Sequence, residues 1–310
     1  MNAHVWAIVL AGGDGRRVAS LTTGDDGRPV PKQYCAFGGG ESMIRWALAR
    51  ALGVVPLRRI LFVVAEQHRR YWVRDLADVP LENILVQPRN RGTAAGVLLA
   101  AVDVLYRRDP KARLLLLPSD HRVADEGVLR GALLDVLRTR GARRRRILLL
   151  GMTPEQCDPD YGWILPAGDG AMAGVAHFVE KPNLDGALAL MRRGALVNSF
   201  MMVAQASALL RACHQTVPEL VQAFVARAKA GAAAGSLTDF YGRLPSADLS
   251  RDVLTKSTAS LAVARIPPCG WSDLGTPARL HAYQSRQPRI PPAPADTPAL
   301  LPVAELVTTA

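Results

Sequence analysis

The segment Leu10-Ala11-Gly12-Gly13-Asp14-Gly15-Arg16-Arg17-Val18 directly follows an aliphatic run that begins at Val5. Glycines after a strand let backbone N–H groups approach phosphate oxygens closely, and arginines add charge-assisted donors. A tight strand-to-helix turn with no ligand has the same composition, so the loop alone leaves both readings open. Pro31-Lys32-Gln33 and Phe178-Val179-Glu180-Lys181-Pro182 each carry a lysine, rare in this arginine-rich chain, and the second sets it beside a carboxylate at a predicted strand end. A solvated loop lysine is the ordinary alternative for the first, and a salt-bridged loop for the second. Two aspartates complete the set: Asp120 in Leu117-Pro118-Ser119-Asp120-His121, and Asp273 in Gly270-Trp271-Ser272-Asp273-Leu274-Gly275-Thr276. Two carboxylates from distant loops are what a magnesium ion bound to nucleotide phosphates requires. Magnesium keeps several waters and takes one or two protein carboxylates. His121 has no partner histidine or cysteine at ligand spacing, and we read it as structural.

These residues need a scaffold that brings them together. Val5–Ala11, Ile60–Ala65, Ile84–Gln87, Leu114–Pro118 and Ile147–Gly151 are short, aliphatic and bounded by polar or turn residues, the pattern of buried strands. Helical patterns lie between them at Glu41–Leu52, Thr93–Arg107 and Glu126–Arg140. The alternation predicts an α/β fold with a mostly parallel sheet covered by helices, which binds ligands beyond the carboxyl ends of its strands. Further strands are predicted at Tyr161–Pro166, Val175–Val179, Val197–Ala204 and Ser260–Ile266, with helices near Leu184–Arg193, Ala206–His214 and Glu219–Ala230. This second half is expected to extend the sheet and wall one side of a cleft.

Composition narrows the classes. The 310 residues carry a formal charge of +11, and only five of the 38 basic residues are lysines: Lys32, Lys111, Lys181, Lys229 and Lys256. Positive charge suits nucleic acid, membrane surfaces or phosphorylated small molecules. Arg143–Arg146 falls between a predicted helix and a strand and reads as a solvated turn, and no nucleic-acid-binding motif supports specific recognition. No run is long enough to span a bilayer. The four cysteines are scattered without CxxC spacing, so neither a zinc site nor a disulfide framework is implied, and a cytoplasmic location is expected. A dinucleotide fold fails at the third glycine of GxGxxG, where Val18 stands, and at the acidic residue expected about 20 residues later. No GK[ST] occurs, which excludes a Walker A loop.

The collinear set LAGGDGRRV, PKQ, QPRNRGTA, LPSDH, DYGWI, FVEKP, NSF and GWSDLGT resembles the sugar-1-phosphate nucleotidyltransferases, and most of all their mannose-1-phosphate guanylyltransferase branch. The resemblance covers Val5 to Tyr283. It implies a Rossmann-like α/β/α nucleotidyltransferase domain over residues 1–285. A nucleotide-binding part would span about 1–150 and a sugar-phosphate part about 151–285, with 286–310 a proline-rich disordered tail. It further implies that Leu10, Ala11, Gly12, Gly13 and Gly15 meet the nucleotide, and that Arg17 touches the β/γ-phosphates. Lys32 would neutralise charge at the reacting phosphates. Gln87, Gly92 and Thr93 would meet the base, and Gly162, Glu180 and Asn198 would hold the sugar. Lys181 would hold the sugar's phosphate, and Asp120 and Asp273 would bind Mg²⁺. The implied substrates are GTP and mannose 1-phosphate, with a UTP, dTTP or CTP enzyme for another sugar phosphate as the sibling alternative. A non-catalytic nucleotide-sugar-binding protein is the more distant one.

Four features depart from the family pattern. Arg16 puts a charge where small residues usually precede the arginine. Ala19–Val30 is polar where guanylyltransferases carry a WPLSR-like turn, and NSFMMVA replaces the commoner NSGIF. The β-helical or cupin-like extension of many relatives is not among these residues, so any homodimer is expected to form without one.

Overall fold

The computed structural model describes residues 4–24, 26–37, 40–138 and 146–286. The expected tail, apart from Arg286, and Arg143–Arg145 lie outside the described residues; Arg146 is exposed at the start of a strand.

Short aliphatic runs become strands here because both their faces are covered. Strands β1 (Val5–Ala11), β2 (Ile60–Ala65), β3 (Ile84–Gln87) and β4 (Arg113–Pro118) run parallel in the order β3-β2-β1-β4. Every residue of β2 is buried. Side chains alternate across the sheet with a period of two. Trp6 and Ile8 of β1 join one core, with Ala94–Ala101 of helix α3 (Gly92–Asp103). Ala7, Val9 and Ala11 join the other, with Ile44, Ala47 and Leu48 of α1 (Met43–Leu52) and Trp72 of α2 (Arg69–Asp75). Leu129, Leu133 and Val136 of α4 (Glu126–Arg138) complete that second face.

The second half continues the same sheet. Strands β5 (Ile147–Met152), β6 (Gly162–Pro166), β7 (Met172–Glu180), β8 (Leu196–Gln205) and β9 (Leu261–Ile266) extend the order to β3-β2-β1-β4-β8-β5-β9-β7-β6. The sheet is mixed: β8 lies antiparallel between β4 and β5, β6 and β7 form an antiparallel pair, and β5 and β9 are parallel. Helix α5 (Leu184–Arg192) packs on the second core, while α6 (Ala206–Thr216) and α7 (Pro218–Ala230) pack on the first. A short α8 (Leu237–Arg243) and the terminal α9 (Pro277–Arg286) complete the helices named here.

All nine predicted strands form, with ends shifted by at most a few residues. The helix expected through Arg107 is α-helical only to Asp103, and Val104–Arg108 continues it as a π-helix. Residues 139 and 140 of the helix predicted after β4 lie outside the described residues. Sequence periodicity did not indicate α2, α8 or α9. Helices α2 and α8 are only seven residues long, and α2 (RRYWVRD) and α9 (PARLHAYQSR) have too few apolar residues to show a stripe.

Candidate active site

The carboxyl ends of β1, β3 and β4 open onto one cleft of about 490 Å³, within the range of small-ligand sites. Leu10, Gly12, Gly13, Gly15 and Arg17 line it from the loop after β1. Gln33 braces this loop, its Nε2 donating to the carbonyls of Ala11 at 3.1 Å and Gly13 at 2.8 Å. Ala11 itself does not face the cleft: it is buried in the second core because the strand alternation turns it away. Arg16 is largely exposed and paired with Asp14 at 3.1 Å; it does not line this cleft but does line the neighbouring cavity that holds Lys32 and Asp120.

Gln87 ends β3 buried beneath the cleft and accepts a hydrogen bond from the Tyr241 hydroxyl at 3.4 Å. Gly92 is in the left-handed region at φ 81°, and a Cβ there would stand 2.1 Å from the Ala247 carbonyl oxygen. That contact is possible only for glycine, and it docks the start of α3 onto the segment before β9. Ala94 N donates to the Ala247 carbonyl, and the Thr93 hydroxyl donates to Asp248 Oδ2 at 3.0 Å while accepting from Leu249 N at 2.7 Å. The Thr93 hydroxyl is therefore committed to the protein, although the residue lines the cleft.

One ammonium links the two aspartate loops. Lys32 is 3% exposed; its Nζ lies 2.8 Å from Asp120 Oδ2 and also donates to the Asp273 carbonyl, 241 residues away in sequence. Lys32 and Asp120 share a second cavity of about 470 Å³ with Arg17 and Asn90, continuous through Asp120 and Arg17 with the first. Burial opposes ionisation of Asp120, but Lys32 and then His121 outweigh it and hold the carboxyl below the usual range. Burial pushes the His121 imidazole down to about 4, and its Nδ1 accepts from Trp271 Nε1 at 3.2 Å. The imidazole thus ties the Asp120 loop to Trp271, and it lines the cleft as well.

The sugar-side residues converge as well. Gly162 of β6 pairs with Glu180 of β7, and a Cβ on Gly162 would meet Glu180 Oε2 at 2.6 Å. Its missing side chain is what seats Glu180 beside buried Asn198. Asn198 Oδ1 accepts from Phe200 N at 3.1 Å, at an irregularity where β8 shifts register against β5. Burial raises the Glu180 carboxyl, and the negative charge of Asp248 raises it further, against Lys181, Arg251 and Arg17. No described residue donates a hydrogen bond to the Glu180 carboxylate. Lys181 is exposed and makes no ion pair within the described residues, so Glu180 and Lys181 do not form the salt-bridged loop that sequence allowed. Among the described residues the non-glycine positions at positive φ are Lys181 (48°), Phe200 (59°) and Leu274 (45°). Each lies within two residues of a site residue, Lys181 and Leu274 in loops and Phe200 inside β8, and strained backbone of this kind concentrates at functional sites.

Sequence reasoning missed Gln33, Asp160, Tyr161, Asp248 and Arg279. Asp160, Tyr161 and Asp248 line the cleft, while Arg279 is buried behind Asp273. Asp160 lies 3.7 Å from Arg17 Nη1. A signal existed for Asp160 and Tyr161, which stand inside the DYGWI motif. Nothing local marks Asp248 or Arg279.

The profile of the family described as Nucleotidyl transferase matches residues 6–288. The Xanthan biosynthesis protein XanB of Xanthomonas campestris pv. campestris (strain B100) is 29% identical over 282 residues, which cover 88% of this chain and 58% of that protein. The mannose-1-phosphate guanylyltransferase of Escherichia coli (strain K12) is 29% identical over 290 residues, again 88% of this chain and 58% of its own length. This chain thus spans less than two thirds of these curated relatives. The crystal structure of mannose-1-phosphate geranyltransferase from Thermus thermophilus superposes with a TM-score of 0.75 at 27% identity, covering 88% of this chain and 76% of that one.

Proposed function

Because this chain belongs to the Nucleotidyl transferase family, we propose that it transfers the guanylyl group of GTP to mannose 1-phosphate, giving GDP-mannose and pyrophosphate. The observation that carries the reading is the convergence of Asp120 and Asp273 on the single buried ammonium of Lys32, at the open end of a nucleotide-sized cleft. Relatives named for mannose 1-phosphate and for xanthan biosynthesis favour this substrate pair.

In this reading the loop after β1, braced by Gln33, receives the nucleotide; Gln87, Gly92 and Thr93 shape the wall toward the base. Arg17 leaves Asp160 for the β/γ-phosphates. Lys181, without an ion-pair partner among the described residues, takes the sugar's phosphate. Glu180 accepts hydrogen bonds from sugar hydroxyls, and Asn198 offers its amide beside it. Residues 1–150 would serve the nucleotide and 151–285 the sugar phosphate. An oxygen of the sugar phosphate attacks the α-phosphorus in line, and pyrophosphate departs with the electron pair of the broken P–O bond. The nucleophile is already an anion, so no side chain need remove a proton. The protein contributes position and charge neutralisation, through Arg17, Lys32 and Lys181.

The residues present fit a magnesium ion. Asp120 and Asp273 are hard oxygen donors on one cleft, and among the described residues no cluster of three or more histidine, cysteine or acidic residues forms a full cage. Magnesium bound through one or two carboxylates and the substrate's phosphates needs no such cage. When bound there, it would neutralise charge developing on the phosphates. Among the described residues no helix is long and apolar enough to cross a membrane. The four cysteines are free, which supports a reducing, cytoplasmic setting.

A pyrophosphate-release assay over a matrix of GTP, UTP, dTTP and CTP against mannose 1-phosphate, glucose 1-phosphate and other sugar phosphates tests the proposal. GTP with mannose 1-phosphate and Mg²⁺ is expected to give the highest kcat/KM. A clear preference for another pair would reassign the substrates, and no turnover with any pair would remove the enzyme reading altogether.

A further inference from the structure

Asp273, one of the two aspartates proposed above as metal ligands, is held from behind by a residue that no family motif marked. Arg279 sits in the first turn of α9 with its side chain 8% exposed. Its Nη1 donates to Asp273 Oδ1, its Nε lies 3.3 Å from Asp158 Oδ2, and its Nη2 lies 3.7 Å from Asp160 Oδ2. The guanidinium carbon stands 4.3 Å from the centroid of the Tyr161 ring. A cation in the first turn of a helix faces the positive end of the dipole, so the helix itself opposes this placement. Three carboxylates and an aromatic face outweigh it. The main chain helps: the Thr276 hydroxyl accepts from Arg279 N at 3.3 Å and from its Nε at 3.2 Å, which fixes the stem of the side chain.

The consequence falls on one oxygen of Asp273. Oδ1 accepts from Arg279, from Gly275 N at 3.0 Å and from the Tyr161 hydroxyl at 3.4 Å. Oδ2 accepts no hydrogen bond from any described residue. A carboxylate saturated on one oxygen and open on the other is oriented for coordination through a single atom. Outer partners of this kind fix the geometry of metal ligands, and losing them weakens metal binding.

We propose that Arg279 is a positioning residue: flanked by the charges of Asp158 and Asp160, it holds Asp273 so that Oδ2 is left free to serve as a cation ligand. The planar fork matters as much as the charge, because one guanidinium spans three carboxylates where an ammonium could serve only one or two. The proposal rests on the reading of Asp273 as a metal ligand, and the experiment separates the two.

Mn²⁺ alone is titrated into the full chain, without nucleotide or sugar, and binding is followed by electron paramagnetic resonance of the free ion. Asp273→Asn is the control, and its loss of binding upholds the ligand reading. Arg279→Gln is then expected to weaken Mn²⁺ binding on the order of tenfold or more, with Arg279→Lys recovering only part. Asp158→Asn, which leaves Asp273 and Arg279 in place, is expected to weaken it in the same direction by less, and it serves if Arg279→Gln does not fold. Unchanged or tighter Mn²⁺ binding in Arg279→Gln, or in Asp158→Asn where that variant stands in, would overturn the positioning role. Unchanged binding in Asp273→Asn would overturn the ligand reading and this proposal together.

Discussion

Lys32 works through a single ammonium that touches one carboxylate and one carbonyl from two neighbouring loops, which Arg122 and Ser272 also join by backbone hydrogen bonds. Its side chain is 4% exposed whereas that of Asp120 is 35% exposed, so the lysine is the member committed to the interior. Removing one partner of such a pair leaves the other uncompensated. Lys32→Met is therefore expected to lower unfolding stability by about 2–3 kcal/mol, somewhat under the fully buried range because Asp120 opens onto the cleft. Lys32→Met combined with Asp120→Asn should regain part of that stability in denaturant unfolding while activity stays lost. A double variant that recovered activity would contradict the assigned roles. Glu180 gives a second test at this scale. Burial, then Asp248, raises its carboxyl above the ordinary value of 4.5. Sugar binding needs the ionised form, so the acidic limb of kcat/KM for the sugar phosphate should lie above that value, and Asp248→Asn should move it to lower pH. The stability effect has the opposite sign. In the window between the unfolded and the raised folded pKa the native state holds more protons than the unfolded one. Stability therefore falls as pH rises through that window, and Glu180→Gln should abolish this contribution in pH-dependent unfolding curves.

At the scale of elements, the site depends on α3 meeting the segment before β9. Gly92 permits that approach, and Ala247, Asp248 and Leu249 receive it. Gly92→Ala combines a strained φ with a backbone clash, and we expect a melting temperature lower by about 5 °C or more. KM for the nucleotide should rise more than KM for the sugar phosphate, because the displaced wall borders Gln87 and Thr93. Equal effects on both would contradict the assignment of this wall to the base. The elements themselves were legible in sequence where burial is two-sided: β2 is wholly apolar, and β4 is apolar from Leu114 on. Helices α2 and α9 were not, because contacts rather than a long apolar stripe hold them: Trp72 of α2 anchors through the Ala65 carbonyl, and Arg279 of α9 through three aspartates. Asp120, Asp273, Lys32 and Gly12 could be singled out because their residue types are unusual for their positions. Arg279 and Asp248 could not, since each acts on a residue far away in the chain and sequence spacing carries no record of that contact. Ala11 shows the converse: motif membership placed it at the ligand, and strand alternation places it in the core.

For the molecule as a whole, a formal charge of +11 coexists with a cleft whose walls carry Asp120, Asp160, Glu180, Asp248 and Asp273. Several arginines act away from the cleft: Arg45, Arg50, Arg108 and Arg138 pair with acidic residues outside it, and Arg91 binds the carbonyls of Tyr241 and Gly242. An acidic cleft that must accept a triphosphate and a sugar phosphate gives a divalent metal a physical reason to bind there. The central claim is that the bond broken lies between the α- and β-phosphates and the acceptor is the sugar phosphate. GTP labelled with ³²P, in separate reactions at the α and γ positions, decides this in the presence of mannose 1-phosphate and Mg²⁺. All the α-label that reacts should appear in a nucleotide sugar, and all the γ-label in pyrophosphate. Label from the γ position on the sugar, or released as orthophosphate, would contradict nucleotidyl transfer.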